Sequence, residues 1–264
     1  MVYPKKRYGQ HFLRDENIAR KIIGYLPGEY NTVIEIGAGT GVLSKYLLQD
    51  DNLNPYFFEI DNESVQYLNA TYPSIRGKLI NADFLDYDLS VFPHPFVIIG
   101  NFPYNISSQI LFRVLENRNK IPHVIGMFQK EVAERITAPP GSKKYGILSV
   151  LIKAFFDIEY LFTVNETVFS PPPRVKSAVI RLNRNKTMQL DCDEEMFFRV
   201  VKSAFNQRRK TLRNSLKAFD FLKDFPRFIE MENSIPLLSK RAEQLSVEDY
   251  CLLTRKISGS IIHS

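Results

Sequence analysis

The chain has 264 residues, a hydrophobic share of 44% and a formal net charge of +6, enough for one large domain or a large one with a small companion. Its two cysteines, Cys192 and Cys251, lie far apart in sequence and its four histidines (His11, His94, His123, His263) are scattered, so neither a disulfide framework nor a metal site is expected. No apolar run is long enough to span a membrane, nothing suggests export, and the basic balance suits a polyanionic partner in a reducing cytoplasm.

In chain order, Lys5-Lys6-Arg7-Tyr8-Gly9-Gln10-His11-Phe12-Leu13 joins a basic cluster to aromatic and polar residues. Lys5 to Arg7 read equally as a solvated tail, whereas Phe12 and Leu13 suit a place under a ligand or against the core. A helix is predicted over residues 15–26, capped by Asp15, with Ile18, Ile22 and Ile23 on one face.

Thr32 to Ile36 reads as a strand running into Gly37-Ala38-Gly39-Thr40-Gly41 and a helix over 42–49. Such glycines let the backbone turn tightly and approach a ligand. A dinucleotide fingerprint needs its third glycine one place later, where Val42 stands, so pyrophosphate binding is disfavoured. The next strand, 56–61, brings Glu59 and Ile60 to its end, about twenty residues after the first glycine, the spacing of a ribose-binding carboxylate. Asp61 reads as a helix cap. Residues 79–85 supply a third strand end, with Asp83 able to accept from an adenine amine and Phe84 beside the ring. Three successive strand ends with polar groups describe an adenosine site.

Val97-Ile98-Ile99-Gly100 runs into Asn101-Phe102-Pro103-Tyr104, the end of a buried parallel strand. The Asn101 amide oxygen and the Pro103 carbonyl are two acceptors beside the flat ring of Tyr104, a set that suits a planar base carrying an exocyclic amine. A helix over 107–116, a strand over 123–128 and a helix over 129–136 follow, and Glu131 with Arg135 reads as a surface pair. Residues 138–146 read as a mobile basic loop, an RNA contact or a linker. Strand-like 159–164 and 178–182 flank Phe169-Ser170-Pro171-Pro172-Pro173-Arg174-Val175, whose prolines stiffen the setting of Phe169. The pattern breaks over 183–191 and a helical remainder follows. Within it Lys202, Arg208, Arg209, Lys210 and Arg213 run to Lys217 without an acid, either a solvated face or a set of phosphate contacts.

These motifs together resemble the small-subunit ribosomal RNA adenine dimethyltransferase family. Gly9 to Leu13, Glu35 to Gly41, Asn101 to Asn105, Gln129 to Val132 and Phe169 to Val175 stand in that family's order along nearly the whole chain. The resemblance implies an α/β fold of the class I, Rossmann-like methyltransferase kind, with seven strands of which one is antiparallel. It further implies a methyltransferase domain over 1–185, a small helical rRNA-binding domain over 186–264, and S-adenosylmethionine as donor. Carried over by motif, His11 and Leu13 close over the cofactor with Gln10 nearby. Gly37 and Gly39 line it, Glu59 and Ile60 hold the ribose end, Asp83 and Phe84 the adenine, and Asn101 borders the reacting methyl. Asn101, Pro103 and Tyr104 form the acceptor pocket, Tyr104 and Phe169 stack on the base, and the 202–213 cations face RNA. Two departures stand out: Phe102 replaces a common leucine, and His11 a common asparagine.

The implied substrate is a pair of adjacent adenosines near the 3′ end of small-subunit rRNA, each dimethylated on N6, in an assembling subunit met by a monomeric enzyme. Two alternatives are a large-subunit rRNA adenine methyltransferase of the antibiotic-resistance type and an assembly factor acting mainly by binding.

Overall fold

The computed structural model describes residues 2–217 and 235–258, so the 218–234 part of the expected helical remainder lies outside the described residues. The strands are β1 (Phe12–Leu13), β2 (Thr32–Ile36), β3 (Asn54–Phe58), β4 (Leu79–Ile80), β5 (Val97–Asn101), β6 (His123–Gln129), β7 (Phe156–Val164), β8 (Phe169–Ser170) and β9 (Ser177–Arg184). The helices are α1 (Glu16–Ile23), α2 (Ser44–Gln49), α3 (Asn62–Thr71), α4 (Ser107–Glu116), α5 (Lys130–Thr137), α6 (Ile147–Lys153), α7 (Glu194–Asn206), α8 (Leu212–Lys217) and α9 (Val247–Ser258).

Seven strands form one sheet in the order β4-β3-β2-β5-β6-β9-β7. The pairs β2–β3, β2–β5, β3–β4 and β5–β6 are parallel, and β9 runs antiparallel to β6. This is the Rossmann-like α/β fold that the resemblance implies. Residues of β2 are all buried, as expected of a central strand covered on both faces. The strand order reverses between β2 and β5, and there the carboxyl ends open a crevice for ligands. A separate two-stranded ladder pairs Phe12 with Ser170 and Leu13 with Phe169. Two-residue strands carry no periodicity, so neither was legible in the sequence.

Asp15 caps α1 by accepting from the N–H groups of Asn17 and Ile18 at 2.8 and 3.0 Å, and Asp61 caps α3, as its place before a helical pattern requires. The chain divides into two compact units: residues 1–133 with 157–184, and 134–156 with 185–264. The third crossing between the units falls between residues 184 and 185. The 134–156 stretch joins the second unit, which a linear division of the sequence could not express.

Within the second unit the 138–146 segment is fastened rather than mobile. Tyr145 is fully buried, and the Gly141 N–H donates to the Glu243 carbonyl at 2.6 Å. Cys192 and Cys251 meet there as free thiols, and burial chiefly pushes the Cys192 thiol up to about 12. Among the described residues no helix is long and apolar enough to cross a membrane, and no cluster of three or more His, Cys, Asp or Glu could hold a metal ion.

Candidate active site

A cleft of about 180 Å³ lies in the first unit at the carboxyl ends of β2, β3 and β5. It is lined by Gln10, His11, Gly37, Gly39, Glu59, Ile60, Asp83, Phe84, Asn101, Pro103 and Tyr104, by Phe12, expected under a ligand or against the core, and also by Tyr8 and Ile106. The glycines make room for it. Gly37 and Gly39 sit at φ of +74° and +57°, and a Cβ on Gly39 would meet the Phe12 ring at 3.0 Å. Only glycine combines that conformation with that approach.

Glu59, 5% exposed, accepts from the Gly39 N–H and from the Asp61 N–H, each at 2.8 Å. Burial raises its carboxyl pKa, and the two N–H groups oppose that rise. Its orientation is thereby fixed, with acceptor capacity left for a pair of hydroxyls. Asp83 Oδ1 accepts from the Leu85 N–H at 2.9 Å, which leaves the second oxygen for a ligand amine. Ile60, 41% exposed, and Phe84, held edge-on against Phe58 at 5.3 Å, supply apolar surface nearby.

The acceptor turn follows β5. Asn101 Nδ2 donates to the His11 carbonyl at 2.8 Å, and no protein donor meets its Oδ1 among the described residues. The Pro103 carbonyl, expected free of the sheet, accepts the Ile106 N–H at 3.2 Å and keeps one lone pair. Tyr104 stacks on His11 with ring centroids 5.5 Å apart, and its hydroxyl bonds the buried Ser177 Oγ at 2.5 Å. Burial raises the Tyr104 pKa and Ser177 opposes the rise. Ser177 was missed because a buried serine opening an apolar strand carries no sequence signal. Phe102 is buried in a slot left by Gly100 and Gly126, which face each other across β5 and β6.

Other expected residues lie elsewhere. Leu13 and Phe169, each 2% exposed, pair with each other in the β1–β8 ladder and pack in the core instead of lining the cleft. Neither closes over a cofactor nor offers a ring to a base in this arrangement. Gln10 lines the cleft, but its side chain is engaged: Oε1 accepts the Lys5 N–H at 2.8 Å, and Nε2 reaches Asp61 at 3.5 Å.

In the second unit the basic run is not one helix. It spans the end of α7, a turn over 207–211 and α8. Lys202, Arg209 and Lys210 are exposed and Arg213 is half-buried. Arg208 donates to the Ser142 and Lys143 carbonyls at 3.3 and 2.6 Å, so its guanidinium serves the fold of that unit.

Comparison with known proteins identifies the family. The chain is 53% identical over 261 residues to ribosomal RNA small subunit methyltransferase A of Cytophaga hutchinsonii, covering 98% of each chain. It is 54% identical to the protein of that name from Flavobacterium johnsoniae, covering 100% of this chain and 99% of that one. A crystal structure of a Plasmodium falciparum dimethyladenosine transferase superposes with a TM-score of 0.80 at 25% identity, over 96% of this chain and 99% of that one. The 23S rRNA methyltransferase ErmE superposes with a TM-score of 0.67 at 25% identity, over 94% and 99%. With the profile of ribosomal RNA adenine dimethylases matching residues 2–253, the chain belongs to that family.

Proposed function

We propose that this chain transfers methyl groups from S-adenosylmethionine to N6 of two adjacent adenosines near the 3′ end of small-subunit rRNA, giving N6,N6-dimethyladenosine. The observation that carries the reading is the aim of Asn101: its amide nitrogen is held by the His11 carbonyl, leaving Oδ1 as an acceptor beside Tyr104. Glu59 and Asp83 line the same cleft, where a donor's adenosyl part fits them. The nearly full-length likeness to relatives named for the small subunit supports that substrate over the large subunit.

S-adenosylmethionine supplies an electrophilic sulfonium methyl when bound. Glu59 accepts from the ribose hydroxyls, Asp83 from the adenine amine, and Ile60 and Phe84 flank the ring. The acceptor presents the harder problem, because the N6 lone pair of adenine is delocalised into its ring. Asn101 Oδ1 and the free lone pair of the Pro103 carbonyl accept hydrogen bonds from the two N6–H groups and turn the nitrogen lone pair toward the methyl, and N6 sheds one proton to solvent once the methyl is in place. Tyr104 stacks on the base once it leaves its loop. Orientation and fixed dipoles do the work, and no covalent intermediate is needed. The enzyme acts as a monomer on an assembling small subunit in the cytoplasm.

Labelled methyl transfer to assembly-stage small subunits, followed by mapping of the modified nucleotides, tests the reading. Dimethyladenosine at two neighbouring positions near the 3′ end is expected. Label confined to large-subunit RNA would favour the activity named for ErmE instead, a second reading that the TM-score of 0.67 keeps in view.

A further inference from the structure

The turn Lys6–Tyr8 stands at the rim of the cleft and is fastened at both ends. Before it, the Lys5 N–H bonds Gln10 Oε1, and Lys5 Nζ bridges Asp61 at 2.5 Å and Glu63 at 3.0 Å. After it, Gly9 at φ +60° packs so closely that a Cβ would lie 2.6 Å from Asn105 Oδ1. Lys6 and Arg7 are exposed and have no carboxylate partner among the described residues. The Arg7 guanidinium lies over the Tyr8 ring, 4.7 Å from its centroid, and Tyr8 lines the cleft alongside Tyr104 and Asn105.

We propose that this turn is a second nucleotide subsite on the RNA: the Tyr8 ring stacks the base next to the target adenosine, while Lys6 and Arg7 hold the adjoining phosphates. The inference rests on the RNA methyltransferase reading and adds to it. Extruding the target leaves its neighbour without a stacking partner, and an aromatic ring beside the pocket takes that partner's place. The stacked guanidinium extends the platform and places positive charge where the backbone must pass. A solvated tail, the competing view of these cations, would not need anchors on both sides.

The test measures KM for assembly-stage small subunits, its salt dependence, and affinity for S-adenosylhomocysteine by calorimetry. Tyr8→Ala and Tyr8→Leu are expected to raise the RNA KM about tenfold, with Tyr8→Phe near wild type, because stacking needs the ring and not the hydroxyl. Lys6→Ala and Arg7→Ala each flatten the salt slope by about 0.7 for every phosphate no longer neutralised. Product affinity stays unchanged in all of them. Unaltered KM and slope would overturn the proposal in favour of a solvated turn. Weakened product binding with unaltered RNA KM would overturn it by assigning Tyr8 to the cofactor. A wild-type protein that methylates no rRNA in those particles would instead sink the function proposed above, and that is seen before any variant is made.

Discussion

At the scale of single residues, the acceptor site depends on which atoms already have partners. After one methylation the substrate amine keeps a single N–H. The Pro103 carbonyl, already bonded to the Ile106 N–H, is not orphaned when it loses the other proton. The Asn101 amide is neutral, so its unmet oxygen costs less than a carboxylate would. Asn101→Asp replaces the donor facing the His11 carbonyl at 2.8 Å with an acceptor. Both transfers should slow by about tenfold or more, on the order of a missing hydrogen bond plus repulsion. The second should slow further, and mass spectrometry of digested RNA should find monomethyladenosine accumulating; equal slowing of both steps would contradict the argument.

At the scale of elements, two features of the central strands lead to measurable expectations. Gly126 in β6 faces the Phe102 ring, where a Cβ would lie 2.5 Å from Phe102 Cε2 and 2.6 Å from Phe128 Cε2. Gly126→Ala should destabilise the fold by about 1–3 kcal/mol in chemical denaturation and lower activity beyond that, since Phe102 sits inside the acceptor turn. The second feature is Glu35, 2% exposed in β2, where burial lifts its pKa from 4.5 to about 8 against the opposing bond from Ser44. A carboxyl raised on folding favours the native state below its unfolded value and gives that up as pH rises through its folded one. Stability should therefore fall between pH 4.5 and about 8, and Glu35→Gln should flatten that part of the thermal-denaturation profile. The sequence made the parallel strands, the glycine turn and the β5 turn legible because each is a continuous apolar run ending in polar residues. It hid the β1–β8 ladder, and with it the burial of Leu13 and Phe169, because that pairing joins residues more than 150 positions apart through two-residue strands.

For the whole molecule, the division into two units sorts the cations by task. Arg208, tied to the Ser142 and Lys143 carbonyls, is structural within the second unit. Arg208→Ala should lower the melting temperature of the protein. The double variant Arg209→Ala/Lys210→Ala changes exposed side chains only, so it should leave melting unchanged and flatten the salt dependence of RNA binding by about 0.7–0.9 for each phosphate left without its cation. If the two sets of variants behaved alike, the sorting would be wrong. From the sequence these residues form one uninterrupted basic run. A guanidinium serving carbonyls sixty-six positions away and one facing solvent look the same on paper.

The bond that aims Asn101 comes from the main chain of residue 11, and a peptide oxygen is common to all twenty amino acids. Substitution of the side chain at that position therefore leaves the amide's heading untouched, which is how an imidazole can stand there without turning Asn101. The ring itself stacks on Tyr104 and its Nδ1 meets the Pro171 carbonyl at 2.8 Å, so substitutions at position 11 should keep the heading of Asn101 while changing how tightly Tyr104 is held against the base.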